Sequence, residues 1–209
     1  MRTRHSVVVQ KPIELEGSND LENPVCMSFE VLDRVRVDVY ALPVWGRMME
    51  TLLPHMENLA AYLFQHEVGA SYGKSTKHRF IVDCVLSNDA EIRILNVRYQ
   101  GKDTATNVLS FPQESQRISP TLNVQYSKKG HEEEEPFLLG GVILAKETVY
   151  KEAQEQNKSV IHHCLHLILH GILHLLGFDH ETACQAQEME TVEGQILALM
   201  HIPNPYSVC

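Results

Sequence analysis

Apolar residues recur at regular steps in the stretch from Val160 to Gly177, which contains no Asp, Glu, Lys or Arg. The steps are of three and four residues, at Ile161, Leu165, Ile168, Ile172 and Leu176. This period is typical of a helix, and the lack of charge indicates one that is buried on most sides. We therefore expect this stretch to form the central helix of the fold.

The rest of the chain alternates between strand-like and helix-like patterns. Four segments predict strands, at residues 35–40, 79–86, 107–111 and 138–144. Four others predict helices, at residues 44–67, 88–99, 147–156 and 182–200. The fold class is therefore predicted as α+β, with a mixed central sheet of about four strands packed with helices around the buried central helix.

Three of the predicted helices carry finer signals. Pro54 is expected to kink or divide the helix at 44–67. Thr182 and Gln185 have the spacing of a capping box, which starts the last helix. The predicted inward-facing residues are Ile92, Leu95 and Tyr99 in the helix at 88–99, and Met189, Val192, Ile196 and Leu199 in the last helix.

Three histidines near the end of the central stretch have the spacing of a metal site. His170 and His174 are four residues apart, one turn apart on one helix face. Gly177 can take a positive φ and end the helix, which brings His180 to the same point. Three imidazoles with an open fourth position form a catalytic zinc arrangement, so we predict one Zn²⁺ per chain on a zinc-bearing central helix.

This stretch allows two other interpretations. His162, His163 and His166 are favoured as hydrogen-bonded core residues rather than ligands, although an i, i+4 stripe links 162, 166, 170 and 174. A membrane span is the second alternative, because the uncharged run of 18 residues reaches the lower length limit. Its five histidines and two glycines argue against a span.

The same ligand spacing occurs in the metzincin proteases, whose pattern is His-Glu-x-x-His-x-x-Gly-x-x-His. Here Gly171 stands in place of the Glu that acts as the general base in such a protease. The sequence therefore predicts the scaffold of that site without the group that activates water in a peptidase.

Composition places the chain among globular proteins. It has 209 residues, of which 44% are hydrophobic and 22% charged, enough for one well-packed domain. Its five cysteines are scattered and form no Cys-x-x-Cys pair, which indicates a reducing compartment rather than a disulfide framework or a thiolate zinc site.

The net charge of −9 by itself opposes binding to nucleic acid, because phosphate contacts need Lys and Arg. The distribution of charge weakens this objection. Much of the acid lies in the N-terminal region, at Glu132–Glu135 and on the last helix. Basic residues cluster in the middle of the sequence, at Lys74, Lys77, His78, Arg79, Arg93, Arg98 and Lys102.

Two segments carry the resemblance to a known family: His170-Gly-Ile-Leu-His174-Leu-Leu-Gly-Phe-Asp-His180 and Asp103-Thr-Ala-Thr-Asn-Val-Leu-Ser-Phe-Pro112. Over roughly residues 30–200 the chain resembles the YbeY family of bacterial rRNA maturation factors. The resemblance implies a zinc-dependent single-strand endoribonuclease acting on rRNA, in small-subunit 3′ end processing and ribosome quality control. It also implies the small ribosomal subunit and its assembly factors as partners, a cytoplasmic location, and neither membrane nor DNA binding.

The organisation expected for such a chain is simple. Residues 1–27 are predicted to be a poorly ordered extension and residues 28–209 a single domain. A polar segment at 113–136 is either a mobile flap or a solvated insertion. The insertion is favoured, because the four consecutive glutamates in it would repel an RNA strand lying over the site.

Several residues near the histidines are candidates for supporting roles. Asp179 is a candidate acceptor that orients an imidazole. Thr106 and Ser110 are weaker candidates for phosphate contacts, since they could equally be polar groups of a turn or strand. Gly141 stands where the family commonly carries Asp, so a carboxylate near the sheet is missing.

One position departs from the family in a way that affects the chemistry. Members usually carry an Arg thought to serve the reaction, and this chain has Gln100 there. Either Arg98 takes its place, which requires the helix to have ended by Tyr99, or Lys102 does, or the enzyme is weak. The catalytic candidates are therefore Arg98, Gln100 and Asp179, and the RNA-binding candidates are Lys102, Thr106 and Ser110.

Two alternative functions remain open from the sequence. The shared ligand spacing allows a zinc peptidase-like hydrolase, which the missing Glu opposes. The third possibility is a non-catalytic ribosome-assembly factor whose metal is structural. A metal-dependent cleavage assay on single-stranded RNA, with casein as a control, distinguishes the three.

Overall fold

Residues 25–32, 35–66, 79–113 and 137–207 are described by the structure, a computed structural model of the chain. The strands are β1 (Val25–Val31), β2 (Val35–Ala41), β3 (Phe80–Ser87), β4 (Val108–Pro112) and β5 (Phe137–Ala145). The helices are α1 (Gly46–Gln65), α2 (Asp89–Gln100), α3 (Lys146–Glu155), α4 (Val160–Leu175) and α5 (Ala183–Leu199), and a short 3₁₀ turn at Pro43–Trp45 precedes α1.

The five strands form one mixed sheet in the order β1-β2-β3-β5-β4. Strands β2, β3 and β5 run parallel, and the outer strands β1 and β4 are antiparallel to their neighbours. The α+β class with a mixed sheet is confirmed. The apolar, non-alternating segment at 138–144 forms an interior strand, as expected of a strand buried on both faces.

The sheet has one strand more than the sequence predicted. Strand β1 pairs with β2 from Val25 opposite Ala41 to Val31 opposite Val35. It begins at Val25, within the residues 1–27 that the sequence predicts as an extension. An edge strand has one pairing partner and this one lacks a regular alternation of buried residues, which is why the pattern did not reveal it. Residues 1–24 and 114–136 lie outside the described residues.

Helix α4 is the centre of the fold, as its apolar pattern predicted. It contacts β4 and β5 and also α1, α3 and α5. Ten of its 16 residues are buried, and they lie on most of its circumference. None of the described helices is long and apolar enough to cross a membrane.

Pro54 lies within α1 and does not divide it. Two finer predictions about the helices are wrong. Tyr99 is 57% exposed, because it lies in the last turn of α2, where its ring meets that of Phe111 in a T-shaped contact with centroids 5.0 Å apart. Leu199 is 51% exposed at the end of α5, where Leu197 is buried instead. The predicted capping box of Thr182 and Gln185 is present.

Gly140 lets β4 and β5 approach each other. Its φ is +141°, and a β-carbon there would lie 2.2 Å from the carbonyl oxygen of Phe111. The glycine therefore relieves crowding within the strand, a common role of glycine inside strands. Strand β4 is thereby held beside the helix that carries the histidines.

Candidate metal site

The end of α4 brings the three predicted histidines together. His170 and His174 lie on its last two turns, and Gly177, with φ of +90°, reverses the chain. The turn is closed by hydrogen bonds from Gly177 N to His174 O (3.0 Å) and from Phe178 N to Leu173 O (3.0 Å). One candidate ligand atom from each of His170, His174 and His180 lies within 4.8 Å of the other two.

The hydrogen bonds of two rings fix which nitrogen faces the site. His170 Nδ1 donates to the Glu193 carboxylate (2.8 Å), and His174 Nδ1 donates to the carbonyl oxygen of Phe178 (3.0 Å). Both partners can only accept, so each neutral ring carries its proton on Nδ1. The two Nε2 atoms therefore present lone pairs to each other at 3.1 Å.

Two lone pairs at that distance repel unless a cation lies between them. Ligands at the usual zinc–nitrogen distance and a tetrahedral angle would be about 3.3 Å apart, close to the separation observed. The donor set therefore fits a metal ion. Within the described part of the chain, no other three metal-binding side chains come together in this way.

His180 completes the set from the loop after α4. Its ring centroid lies 5.4 Å from that of His170 and 5.0 Å from that of His174. His180 is exposed, while the other two histidines are half-buried, so the site is open to solvent on the His180 side. An open side is what distinguishes a catalytic site from a closed structural one.

Asp179 lies beside the site, and its carboxylate accepts a hydrogen bond from the backbone N–H of His180 (2.8 Å). That bond holds the loop at the point where His180 turns inward. For His170 and His174, the acceptors that orient the rings are Glu193 and the Phe178 carbonyl.

Glu193 is a residue that the sequence analysis missed. It lies on α5 with no exposed surface, and its carboxylate accepts from His170, His166 and Tyr206. Burial alone would raise the pKa of Glu193, but these hydrogen bonds outweigh burial and lower the pKa to about 2. Glu193 lies four residues after the inward-facing Met189, and an acid on a buried helix face was the available signal.

The remaining histidines of α4 have partners of their own. His163 is buried, and its Nε2 donates to Glu152 (2.8 Å). His166 Nε2 lies 3.2 Å from both Glu193 and the Tyr206 hydroxyl. His162 is half-buried. His163 and His166 are thus each hydrogen-bonded through Nε2, while their buried Nδ1 atoms have no hydrogen-bond partner among the described residues.

Burial also affects the pKa of two of these rings. The pKa of His174 is lowered first by burial and next by the neighbouring His170. The pKa of His163 is lowered by burial, although the hydrogen bond and charge of Glu152 act in the opposite direction. Both shifts favour the neutral imidazole, and for His174 this is the form that binds metals.

The predicted supporting residues lie in two places. Ser110 is on β4 beside α4, where its Oγ would lie 3.0 Å from a β-carbon at Gly171. Thr106 lies in the loop before β4, and its hydroxyl donates to the Asn107 side chain (3.4 Å). The Asn107 amide in turn donates to both carboxylate oxygens of Glu152 (3.2 and 3.0 Å), which fixes that loop against α3.

Arg98, Gln100 and Lys102 are exposed at the end of α2. The helix continues through Gln100 and ends at Gly101, which has a φ of +69°. It has therefore not ended by Tyr99, and Arg98 lies about 200° around the helix from Gln100. The Arg98 guanidinium lies over the ring of its neighbour Tyr99, 5.7 Å from the centroid.

Fold and site together define an α+β protein with a solvent-open three-histidine site on its central helix. The family model described as Endoribonuclease YbeY matches residues 54–201, and the chain belongs to this family. The resemblance read from the two sequence segments is thereby confirmed.

Curated relatives support the same family. The chain is 45% identical over 123 residues to "Endoribonuclease YbeY" of Nitrobacter winogradskyi, covering 59% of this chain and 60% of that protein. It is 42% identical over 139 residues to the protein of that name from Azorhizobium caulinodans, covering 66% of this chain and 79% of that protein.

Among solved structures, a solution structure of a Thermotoga maritima protein aligns over 76% of this chain and 93% of its own, with 21% identity and a TM-score of 0.43.

Proposed function

We propose that this protein is a metal-dependent endoribonuclease that cleaves single-stranded RNA. The observation that carries the proposal is the pair of Nε2 atoms of His170 and His174, 3.1 Å apart, with both Nδ1 atoms held by acceptors. Membership of the family, whose description names this activity, supplies the substrate class. The proposed cellular role is maturation of the small-subunit rRNA 3′ end and ribosome quality control, in the cytoplasm and with the small subunit and its assembly factors as partners.

The proposed metal is zinc, one ion per chain, held by His170, His174 and His180. When bound there, zinc would supply a Lewis acid and lower the pKa of a bound water toward neutrality. The chain's own part is to aim the imidazoles, because the Glu193 and Phe178 acceptors hold the ring proton on Nδ1 and leave Nε2 free for the ion. The exposed ring of His180 leaves one side of the site accessible to a long polymer.

Among the described residues, three cations lie on α2 or just after its end, and they differ in how freely they can meet an RNA backbone. Arg93 is paired with Asp103 through two hydrogen bonds, of 2.7 and 2.9 Å, so much of its charge is locally compensated. Arg98 and Lys102 are the exposed cations near the end of α2, and Gln100 between them is neutral. We assign Lys102, Thr106 and Ser110 to phosphate contacts and Gln100 to the place where the family carries its Arg. The continuation of α2 through Gln100 disfavours Arg98 as the substitute for that Arg. Asp179 holds the loop that presents His180.

A peptidase activity is disfavoured by the packing around Gly171. A β-carbon at that position would lie 2.5 Å and 2.9 Å from the two methyl groups of Val142. The space next to the first metal-binding histidine is therefore filled by the sheet, and any side chain there requires Val142 to shift. A general-base Glu after the first histidine is thus opposed by packing as well as absent from the sequence.

The test is cleavage of a labelled single-stranded RNA by the purified protein, with and without a chelator, and with added zinc. A hairpin RNA of equal length and casein serve as substrate controls, and His174→Ala serves as the inactive control. We expect cleavage of the single strand that chelator abolishes and zinc restores. Metal-dependent cleavage of casein would favour the peptidase alternative, and tight RNA binding with no cleavage would favour a non-catalytic assembly factor.

A further inference from the structure

The carboxylate of Glu193 connects the metal site to the carboxyl-terminal end of the chain. One oxygen, Oε1, accepts from His170 Nδ1 at 2.8 Å. The other, Oε2, accepts from the Tyr206 hydroxyl and lies 3.2 Å from His166 Nε2. Glu193 has no exposed surface, so these three groups take the place of water around it.

A tight turn after α5 brings Tyr206 to this position. His201 has a φ of +58°, which reverses the chain, and Ile202 is buried against the core. Asn204 then packs against Gly194 on α5, where a β-carbon would lie 3.2 Å from the Asn204 amide nitrogen. The Asn204 side-chain oxygen accepts from the backbone N–H of Tyr206 (2.9 Å).

Two further contacts hold the turn against α4. Lys158 Nζ donates to the carbonyl oxygen of Pro205 at 3.4 Å, just before α4 begins. The ring of Tyr206 meets that of His166 edge-on, with centroids 5.6 Å apart. The turn is thus attached to both helices that supply the histidines and Glu193.

We propose that Glu193 and Tyr206 are positioning residues of the metal site. The hydroxyl of Tyr206 holds the carboxylate of Glu193, and the carboxylate holds the ring of His170 with Nε2 directed at the ion. This inference rests on the proposed metal-binding function. It assigns a role in metal affinity to a turn more than 20 residues after the last metal ligand.

The physical reason lies in the second ring nitrogen of an imidazole that binds a metal. A carboxylate that accepts a hydrogen bond from this nitrogen fixes the tautomer and orientation of the ring and makes the ligating nitrogen more basic. Loss of such a partner typically weakens metal binding about 10- to 100-fold. A purely structural role predicts a different result, because filling a buried space stabilises the fold without changing the affinity of a metal that is already bound by three rings.

The experiment measures the dissociation constants for Zn²⁺, by competition with a chromophoric chelator, and the visible absorption spectrum of the Co²⁺-substituted protein. The variants are Glu193→Gln, which keeps the shape but removes the charge, and Tyr206→Phe, which removes only the hydroxyl. Tyr150→Phe on α3 is the matched control, because its ring packs beneath Lys146 and takes no part in this network. Circular dichroism and thermal unfolding report on folding in each case.

We expect about 10- to 100-fold weaker Zn²⁺ binding in Glu193→Gln with an altered Co²⁺ spectrum, a smaller loss in Tyr206→Phe, and no change in Tyr150→Phe. If both network variants lose stability but bind Zn²⁺ as tightly as the wild type, the inference is overturned while the metal site stands. A wild-type protein that binds neither ion overturns the proposed function and this inference with it. Should Glu193→Gln fail to fold, unchanged affinity in Tyr206→Phe decides against the proposal.

Discussion

Gly171 and Val142 are packed so closely that a β-carbon on Gly171 would lie 2.5 Å from Val142 Cγ1. Gly171→Ala should therefore destabilise the protein, because overpacking of a core costs about 1–3 kcal/mol, partly offset by about 1 kcal/mol of better helix propensity. Val142→Ala removes the obstructing methyl groups, so the double variant should be more stable than the sum of the two single changes. Urea unfolding of the four proteins measures this coupling, and additive effects would show that the contact is not tight.

The histidines of α4 should not be equivalent. Replacing His170 or His174 by Ala should reduce the zinc content to well below one ion per chain and abolish RNA cleavage, because each removes one of three ligands. His162→Ala should retain both. Elemental analysis of protein made without a histidine tag provides the measurement. A His162→Ala protein without zinc would identify the i, i+4 stripe as the true ligand set.

Removing the metal should lower stability by linkage. A ligand present at about 100 times its dissociation constant stabilises the folded state by about 2.7 kcal/mol, so chelation should lower the free energy of unfolding by an amount of this order. The same chelator should leave the stability of His174→Ala unchanged. Equal losses in the two proteins would indicate an effect of the chelator unrelated to this site.

Gln100→Arg should increase the rate of single-strand cleavage. A guanidinium adds a charge and a two-pronged donor that a neutral amide cannot provide, and one such cation is worth about 10- to 100-fold in rate, or roughly 1.4–2.8 kcal/mol. Gln100→Lys is the matched control, because lysine adds the positive charge without the two parallel N–H donors of a guanidinium. Unchanged kinetics in Gln100→Arg together with a large loss in Arg98→Ala would show that Arg98 already fills the role.

The buried His163 should make the fold sensitive to acid. Its Nε2 donates to Glu152, and among the described residues no group accepts from its Nδ1, so protonation would bury an unpaired N–H. Its pKa is lowered in the folded state, chiefly by burial. The unfolded chain therefore binds more protons just below the unfolded value of about 6.5, and stability is full above that pH and falls as the pH drops through the folded pKa.

His163→Gln keeps a donor for Glu152 but cannot take up this proton. Its free energy of unfolding should therefore fall less steeply than that of the wild type between about pH 6.5 and 5. Both proteins should be measured without metal, so that the other histidine with a lowered pKa, His174, contributes equally to each. Parallel curves for the two proteins would contradict the assignment.

The part of the site that the sequence predicted is local. His170, His174 and His180 come together through one helix turn and one glycine break, and both are encoded by spacing. Glu193 and Tyr206 come from another helix and from the turn beyond it, so only packing between elements places them against the histidines. No spacing rule encodes that contact.

The errors in the fold have the same origin. Tyr99 continues the apolar stripe of α2, but it lies in the final turn of that helix and is exposed. Periodicity alone cannot show where the surface that buries the stripe ends. Strand β1 was missed because pairing with β2, rather than its own pattern, makes it a strand. Periodicity identifies what an element can bury, while the neighbouring elements determine what it does bury.

Strands β4 and β5 pair as neighbours, with Pro112 opposite Gly140 and a hydrogen bond of 3.1 Å from Gln113 N to Leu139 O. The chain thus leaves and re-enters the sheet at adjacent points. Each doubling of the length of a connection between such points costs only about 0.6 kcal/mol in loop-closure entropy. This edge of the sheet is consequently a permissive position, where evolution can vary the length of the chain and where a reporter domain could be fused without rebuilding the protein.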